Sequence, residues 1–136
     1  MNDGPQPPRA TLPARCRLKS QREFRRVYRR GRRAAGRWLT VVGLRASGAA
    51  ERAATAPRVG LSVGKIHGGA VRRNKLKRLL REAFRHERHR LPSGLDLVLI
   101  PQQRPERFPL AELRSELVEL VDRLLARREP RRGGGR

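Results

Sequence analysis

Apolar residues recur along the chain with spacings that predict helices and strands. The strongest helical pattern follows Val71, where apolar residues recur every three or four positions and would line one face of an amphipathic helix: Leu76, Leu79, Leu80, Ala83 and Phe84. The same spacing after Pro109 predicts another helix, with these residues in register: Leu110, Leu113, Leu117, Leu120, Val121 and Leu124.

A shorter helix is predicted near the start of the chain. Residues 20–23 (SQRE) form a capping-box sequence, in which a serine and a glutamate satisfy the free backbone N–H groups of a helix start. Phe24, Val27 and Tyr28 would then share one face of this helix, and Gly31 predicts its end.

Three runs rich in β-branched or apolar residues predict strands. Residues 38–44 (WLTVVGL) and 58–63 (RVGLSV) are separated by an alanine-rich loop. Residues 95–100 (LDLVLI) form a nearly continuous apolar run closed by Pro101, which suits a strand buried on both faces. The strand, helix and strand from residue 58 to residue 100 predict a parallel pair with a helical crossover, within an α+β sandwich.

The two ends of the chain have little to bury. Residues 1–14 contain four prolines, and residues 129–136 are mostly glycine and arginine, so both segments are predicted to be disordered. Residues 15–128 are then expected to form a single domain, which suits a chain of 136 residues.

Composition adds a strong positive charge to this picture. The 34 Lys and Arg residues exceed the 12 Asp and Glu residues, and the formal net charge is +22. Such a surface favours a polyanionic partner. The single cysteine, Cys16, cannot form an internal disulfide, and the sequence contains neither a signal peptide nor a membrane-spanning run. We therefore expect a cytoplasmic protein.

The cations are concentrated in two segments, which are the predicted RNA surface. Residues 15–37 carry eleven Lys or Arg residues against one acid, and residues 72–90 carry nine against two. In the second segment five side chains are expected opposite the leucine face, namely Arg73, Asn74, Lys77, Arg78 and Arg81. An ordinary solvated helix face is the alternative. The acids of the last helix are assigned such a solvated face: Glu112, Glu116, Glu119 and Asp122.

Phe24 and Tyr28 lie among arginines, a combination that suits stacking against unpaired bases. On spacing alone core packing is the better explanation of the two rings, and both roles are compatible if the rings line an open groove.

Residues that could carry out chemistry are few. Residues 60–65 (GLSVGK) are one residue too short for a nucleotide-binding P-loop, and Ile66 replaces its hydroxyl residue. His86 and His89 have no evident third metal ligand, and neither basic segment holds a pair of carboxylates. Asp96 is expected in or beside a strand, without a chemical role. We therefore expect no catalytic residue and no metal site in this chain.

Three segments together resemble the protein subunit of bacterial ribonuclease P. They are residues 58–65 (RVGLSVGK), 70–84 (AVRRNKLKRLLREAF) and 17–31 (RLKSQREFRRVYRRG), and the resemblance extends over residues 15–128. It implies a ribosomal-protein-like two-layer α-β sandwich with a central sheet and a left-handed βαβ crossover. It also implies a helix that contacts the catalytic RNA, where the matching residues are Lys65, Arg73, Asn74, Lys75, Lys77, Arg78 and Arg81.

The resemblance further implies a groove for the single-stranded 5′ leader of precursor tRNA, to which Phe24, Tyr28 and Arg25 correspond. The RNA subunit would cleave with its own magnesium, the protein would bind no cofactor, and no obligate protein partner is implied. The sequence departs from the family pattern at Lys75, at Ile66 and at Val42, where an arginine, a basic residue and an aromatic are common. A ribosomal or RNA-chaperone protein, a protein-only nuclease and a DNA-packaging protein are the rival interpretations.

Overall fold

The computed structural model describes residues 12–46, 48, 55–104 and 107–126. It contains the three predicted helices and four strands, one more than predicted: α1 (Gln21–Arg30), β1 (Arg32–Ala35), β2 (Leu39–Arg45), β3 (Arg58–Leu61), α2 (Ala70–Glu87), β4 (Leu95–Pro101) and α3 (Leu110–Ala126). The predicted disordered tail at 129–136 and most of the alanine-rich loop lie outside the described residues.

The packed part of the chain includes Leu12, which lies within the segment that the sequence assigned to a disordered extension. Leu12 is buried against the main core, and the guanidinium of Arg17 donates to its carbonyl oxygen over 2.9 Å. Cys16, also buried, follows in a short 3-10 turn. The apolar side chain of Leu12 therefore belongs to the core, and residues 1–11 lie outside the described part.

The four strands form one sheet in the order β1-β2-β4-β3. β1 pairs with β2 and β2 with β4 in antiparallel fashion, whereas β3 and β4 are parallel. Because α2 lies between β3 and β4 in the chain, it is the crossover that the strand-helix-strand order predicted.

The sheet has two unequal faces. One face, which includes Leu95, Leu97 and Leu99 of β4, belongs to the main core with the leucines of α2 and α3. On the other face α1 covers a smaller apolar cluster, whose buried residues are Leu18, Val27, Val42 and Val98. Three partly buried residues pack against this cluster: Phe24, Leu44 and Ile100. Among the described helices, α1 is thus the one that packs on this side of the sheet.

β1 is the strand that the sequence did not reveal. Its four residues (RRAA) lack an apolar alternation, and only Ala34 is buried. α1 ends just before it at Gly31, whose φ of −82° any residue could adopt. A Cβ at Gly31 would lie 2.6 Å from the carbonyl oxygens of Val27 and Gly43, so glycine is required by the close approach of two backbones.

The chain before α1 borders the free side of β3. Arg17 forms an isolated parallel bridge with Val59, and the Leu18 N–H donates to the Val59 carbonyl over 2.9 Å. This places the start of α1 above the β3–β4 pair.

Two acids of α3 stabilise the connection between β1 and β2, contrary to the expected solvated face. Glu116 accepts hydrogen bonds from the backbone N–H groups of Arg37, Trp38 and Leu39, at 2.7 to 2.8 Å. Glu112 accepts from Trp38 Nε1 at 2.8 Å. Glu119 and Asp122 are exposed, as expected.

Candidate nucleic-acid interface

α2 presents a row of donors along its exposed side. Leu76, Leu80, Ala83 and Phe84 are buried against the sheet, as the spacing predicted. The exposed positions include four of the candidate site residues: Asn74, Lys75, Arg78 and Arg81. The helix advances 1.5 Å per residue, so the row from residue 74 to residue 81 spans about 10 Å of a rigid scaffold.

Arg73 and Lys77 do not lie opposite the leucine face, and that part of the prediction is wrong. Both side chains are half-buried. Arg73 precedes Leu80 by seven residues, which is two turns, so the rule that aligns the leucines also aligns Arg73 with them. Its Nε donates to the Gly68 carbonyl at 3.1 Å, just before the helix start. These two cations therefore flank the exposed row.

The acids of α2 pair with other cations. Glu82 accepts from Arg85 at 2.7 Å and contacts His86 Nε2 at 3.1 Å, and these hydrogen bonds and charges lower the pKa of the Glu82 carboxyl. Glu87 is buried and accepts from Arg114 of α3 at 2.6 Å. Within the described ranges five candidate cations of α2 therefore make no ion pair, namely Arg73, Lys75, Lys77, Arg78 and Arg81.

The connection between β3 and α2 places Lys65 a few residues before the start of that helix. Lys65 is exposed in a 3-10 turn that ends at His67, and Ile66 beside it is 62% exposed. His67 is buried, and its pKa is lowered by burial and by the nearby Arg72 cation. The chain turns into α2 through Gly68, whose φ of +112° favours glycine.

Phe24 and Tyr28 have different environments on α1. Phe24 is half-buried over β3, where a Cβ on Gly60 would stand 2.5 Å from Phe24 Cζ. Tyr28, one turn further along the helix, is 36% exposed. Thr40 and Ile100, which pair across β2 and β4, are partly exposed on the same side of the sheet. Phe24 thus has a packing role, and Tyr28 offers ring surface to a ligand.

Arg25, the third candidate for this groove, lies elsewhere, and so does Val42, which stands where the family pattern has an aromatic. Val42 is fully buried beneath α1 and cannot line a groove. Arg25 is exposed and lies with the outward-facing arginines of α1, two residues before the buried Val27.

Asp96 connects α1 to the sheet, a structural role that sequence reasoning missed. Arg58 of β3 donates to both of its carboxylate oxygens, at 2.9 and 2.8 Å, and Arg26 of α1 donates at 3.2 Å. Arg58 also donates to Glu23 at 3.1 Å. The hydrogen bond to Asp96 is the main cause that raises the pKa of Arg58.

The capping box confirms the predicted start of α1. Ser20 Oγ accepts from the Glu23 N–H at 3.1 Å, and the Glu23 carboxylate accepts from the N–H groups of Lys19 and Ser20. The hydrogen bond from Lys19 is the main cause that lowers the pKa of Glu23. Glu23 therefore caps α1 and, through Arg58, ties its first turn to the network of Asp96.

The part of the chain that the structure describes holds no group of three or more His, Cys, Asp or Glu side chains that could bind a metal ion. Cys16 is buried and accepts from Arg88 at 2.9 Å. None of the described helices is long and apolar enough to cross a membrane.

The described part of α2 carries a row of unpaired cations, and across the sheet the rings of Phe24 and Tyr28 form a partly exposed aromatic edge on α1. These two features define a nucleic-acid-binding protein of the α+β class. The family model for ribonuclease P matches residues 12–125. The chain therefore belongs to the ribonuclease P protein family, and it is a protein subunit of ribonuclease P that acts in tRNA processing.

Individual relatives agree with this assignment. The chain is similar to the ribonuclease P protein components of Symbiobacterium thermophilum, with 40% identity over 79% of this chain and 89% of that one, and of Brevibacillus brevis, with 36% identity over 79% and 81%. The structure of the Thermotoga maritima RNase P protein matches at 31% identity with a TM-score of 0.66, over 79% of this chain and 96% of that one. The Staphylococcus aureus protein matches at 27% identity with a TM-score of 0.64, over 79% and 93%. The fold is thus that of bacterial RNase P proteins, as the resemblance implied.

Proposed function

We propose that this chain is the RNA-binding, non-catalytic subunit of its ribonuclease P, and that it acts in the cytoplasm without an obligate protein partner. The catalytic RNA, with its own magnesium, would remove the 5′ leader of precursor tRNA. The protein would bind that RNA through α2 and hold the leader beside α1. The observation that carries the proposal is the row of unpaired cations on α2.

The α2 row fits an RNA backbone in both charge and form. Arg78, Arg81 and Lys75 supply cations on a rigid rod, and the amide of Asn74 can bond a sugar or base edge. Lys75 stands where the family pattern has an arginine, and an ammonium contacts a phosphate without the bidentate fork of a guanidinium. Lys65 and the half-buried Arg73 extend the surface at the start of the helix.

The edge of α1 fits a single-stranded leader. Phe24 and Tyr28 are four residues apart on one side of the helix, and unpaired bases stack on such rings. Because Phe24 is half-buried and Tyr28 is 36% exposed, Tyr28 would make the larger stacking contact. Arg25 would approach a leader phosphate from the outer side of α1 rather than from the sheet.

The carboxylates near the sheet support the proposal that the RNA, rather than this protein, is catalytic. Glu23 lies beside Phe24 in α1, Asp96 lies in the strand beneath that helix, and both carboxylates pair with Arg58. Neither carboxylate is therefore free to hold a hydrolytic metal.

The first test is reconstitution with a bacterial ribonuclease P RNA at low magnesium, with protein-alone and RNA-alone controls. Stimulated precursor cleavage that requires both components is expected. Cleavage by the protein alone would refute the non-catalytic role, and a lack of stimulation would favour a ribosomal or chaperone function.

The second test separates the two RNA contacts. The double variant Arg78→Gln/Arg81→Gln should weaken binding of the RNA subunit and reduce the salt dependence by about one to two units of slope. Tyr28→Ala should weaken binding of precursor tRNA by the reconstituted enzyme more than binding of mature tRNA, because only the precursor carries a leader. Equal losses for both tRNAs would contradict the leader contact.

A further inference from the structure

Five arginines form a stripe along α1, which begins on the outer side of the helix and reaches the sheet at Arg26. They line a shallow cleft of about 300 Å³ and recur every three or four residues: Arg22, Arg25, Arg26, Arg29 and Arg30. With 3.6 residues per turn, this spacing makes them neighbours along one face of the helix. The opposite face carries Val27, which is fully buried.

Most of these arginines lack an acidic partner. Arg26 reaches Asp96 at 3.2 Å. For Arg22, Arg25, Arg29 and Arg30, the described part of the chain supplies no ion pair or hydrogen bond to the side chain. All four are exposed, and the acid on this helix, Glu23, caps its start and pairs with Arg58.

Like charges placed three or four residues apart on a helix repel each other. The arrangement is therefore unfavourable in the free protein and becomes favourable when a polyanion contacts the stripe. The stripe has guanidinium donors and no aromatic ring, so it suits phosphate oxygens rather than bases.

We propose that the outer face of α1 is a second contact for the phosphate backbone of the ribonuclease P RNA subunit, separate from α2. The inference rests on the proposed function. α1 lies on one face of the sheet and α2 on the other, so the RNA subunit would contact the domain from both sides.

Arg25, three residues before Tyr28, is the part of the stripe that a leader would reach, and the other arginines are assigned to the RNA subunit. The aromatic edge of α1 faces the sheet side, where Phe24 lies over Gly60. Around the helix axis, Arg22 and Arg29 lie about 140° and 160° away from Val27, close to the opposite side of the helix. A leader stacked on Tyr28 would have to cross over α1 to reach them.

The test is the double variant Arg22→Gln/Arg29→Gln. Arg22 is near the positive end of the helix dipole and Arg29 near the negative end, so the effects of removing them on helix stability oppose each other. The matched control is Arg45→Gln/Arg107→Gln, which removes the same charge from exposed positions outside both basic segments, where neither arginine makes an ion pair within the described residues. Affinity for the RNA subunit, its salt dependence and the melting temperature of the free protein are measured for both variants and the wild type.

We expect Arg22→Gln/Arg29→Gln to lose about tenfold in affinity for the RNA subunit and about one to two units of salt slope, with an unchanged melting temperature. In the enzyme assembled with saturating protein, the preference for precursor over mature tRNA should be retained. A change confined to precursor binding would assign the stripe to the substrate and overturn the inference.

Two further outcomes separate this inference from the proposed function. If the variant matches its control while Arg78→Gln/Arg81→Gln weakens binding, the outer-face contact is wrong and the proposed function stands. If wild-type protein does not bind the RNA subunit, both are wrong.

Discussion

Asp96→Asn tests whether the network at Asp96 anchors α1 to the sheet. The Asp96 side chain is 10% exposed and accepts two hydrogen bonds from Arg58 and one from Arg26. Asparagine has nearly the same shape, but it has no charge and its Nδ2 cannot accept. The substitution therefore leaves one Arg58 donor and the Arg26 donor without their carboxylate.

The expected loss of stability depends on how exposed the two arginine partners of Asp96 are. Removing one member of a fully buried ion pair costs about 3 to 5 kcal/mol. Arg58 is 25% exposed and keeps Glu23, and Arg26 is 48% exposed, so water compensates in part. We expect a loss of about 2 kcal/mol in the free energy of unfolding. This value is in the lower part of the range that hydrogen bonds to charged groups contribute to stability. For a domain of this size that corresponds to a melting temperature lower by roughly 8 °C.

Thermal and urea denaturation of the free protein measure the stability change, and two binding assays measure its effect on function. If α1 packs less firmly on the sheet, the preference for precursor over mature tRNA should decrease. The exposed row of α2 lies across the sheet, so its contribution to RNA-subunit binding should be unchanged. Glu119→Gln is the control, because Glu119 is 67% exposed in its pair with Arg123, and its loss should cost less than about 0.5 kcal/mol. A loss for Asp96→Asn as small as that of the control would refute the anchoring role.

Three other substitutions follow from contacts on the sheet. Glu116→Ala should destabilise the domain by about 2 to 3 kcal/mol, since it removes the acceptor of three backbone N–H groups, and chemical denaturation checks this. Gly60→Val should cost about 1 to 3 kcal/mol and displace Phe24, which near-ultraviolet spectra and denaturation would show. Because the pKa of His67 lies below its ordinary value of 6.5, the unfolded chain binds the proton first as the pH falls. Stability should therefore decrease as the pH falls below 6.5, and His67→Asn should flatten that decrease in urea titrations at several pH values.

The sequence predicted the elements whose pattern is local. The leucine spacing located α2 and α3, the capping box located the start of α1, and the apolar run located β4. β1 was not predicted because apolar and polar residues do not alternate in its RRAA sequence, and because its pairing depends on the neighbouring β2. Short edge strands of this kind are defined by their partner rather than by their own residues.

The candidate site was likewise predictable only where it depends on a local sequence pattern. Exposed cations at positions 78 and 81 follow from helical spacing, but the same spacing should have aligned Arg73 with the leucines. Asp96 and Glu116 could not be assigned from sequence, because their partners lie 38 to 79 residues away in the chain. Only the folded sheet brings those groups together.

The bridge between Arg17 and Val59 protects the sheet against self-association. β3 is an edge strand, and an uncovered edge can template the pairing of another chain. The segment before α1 occupies part of that edge through the hydrogen bond from Leu18 to Val59, while the opposite edge strand β1 is short and carries two arginines. A chain shortened to begin after Leu18 would therefore lose this cover and become more prone to aggregate during concentration or storage.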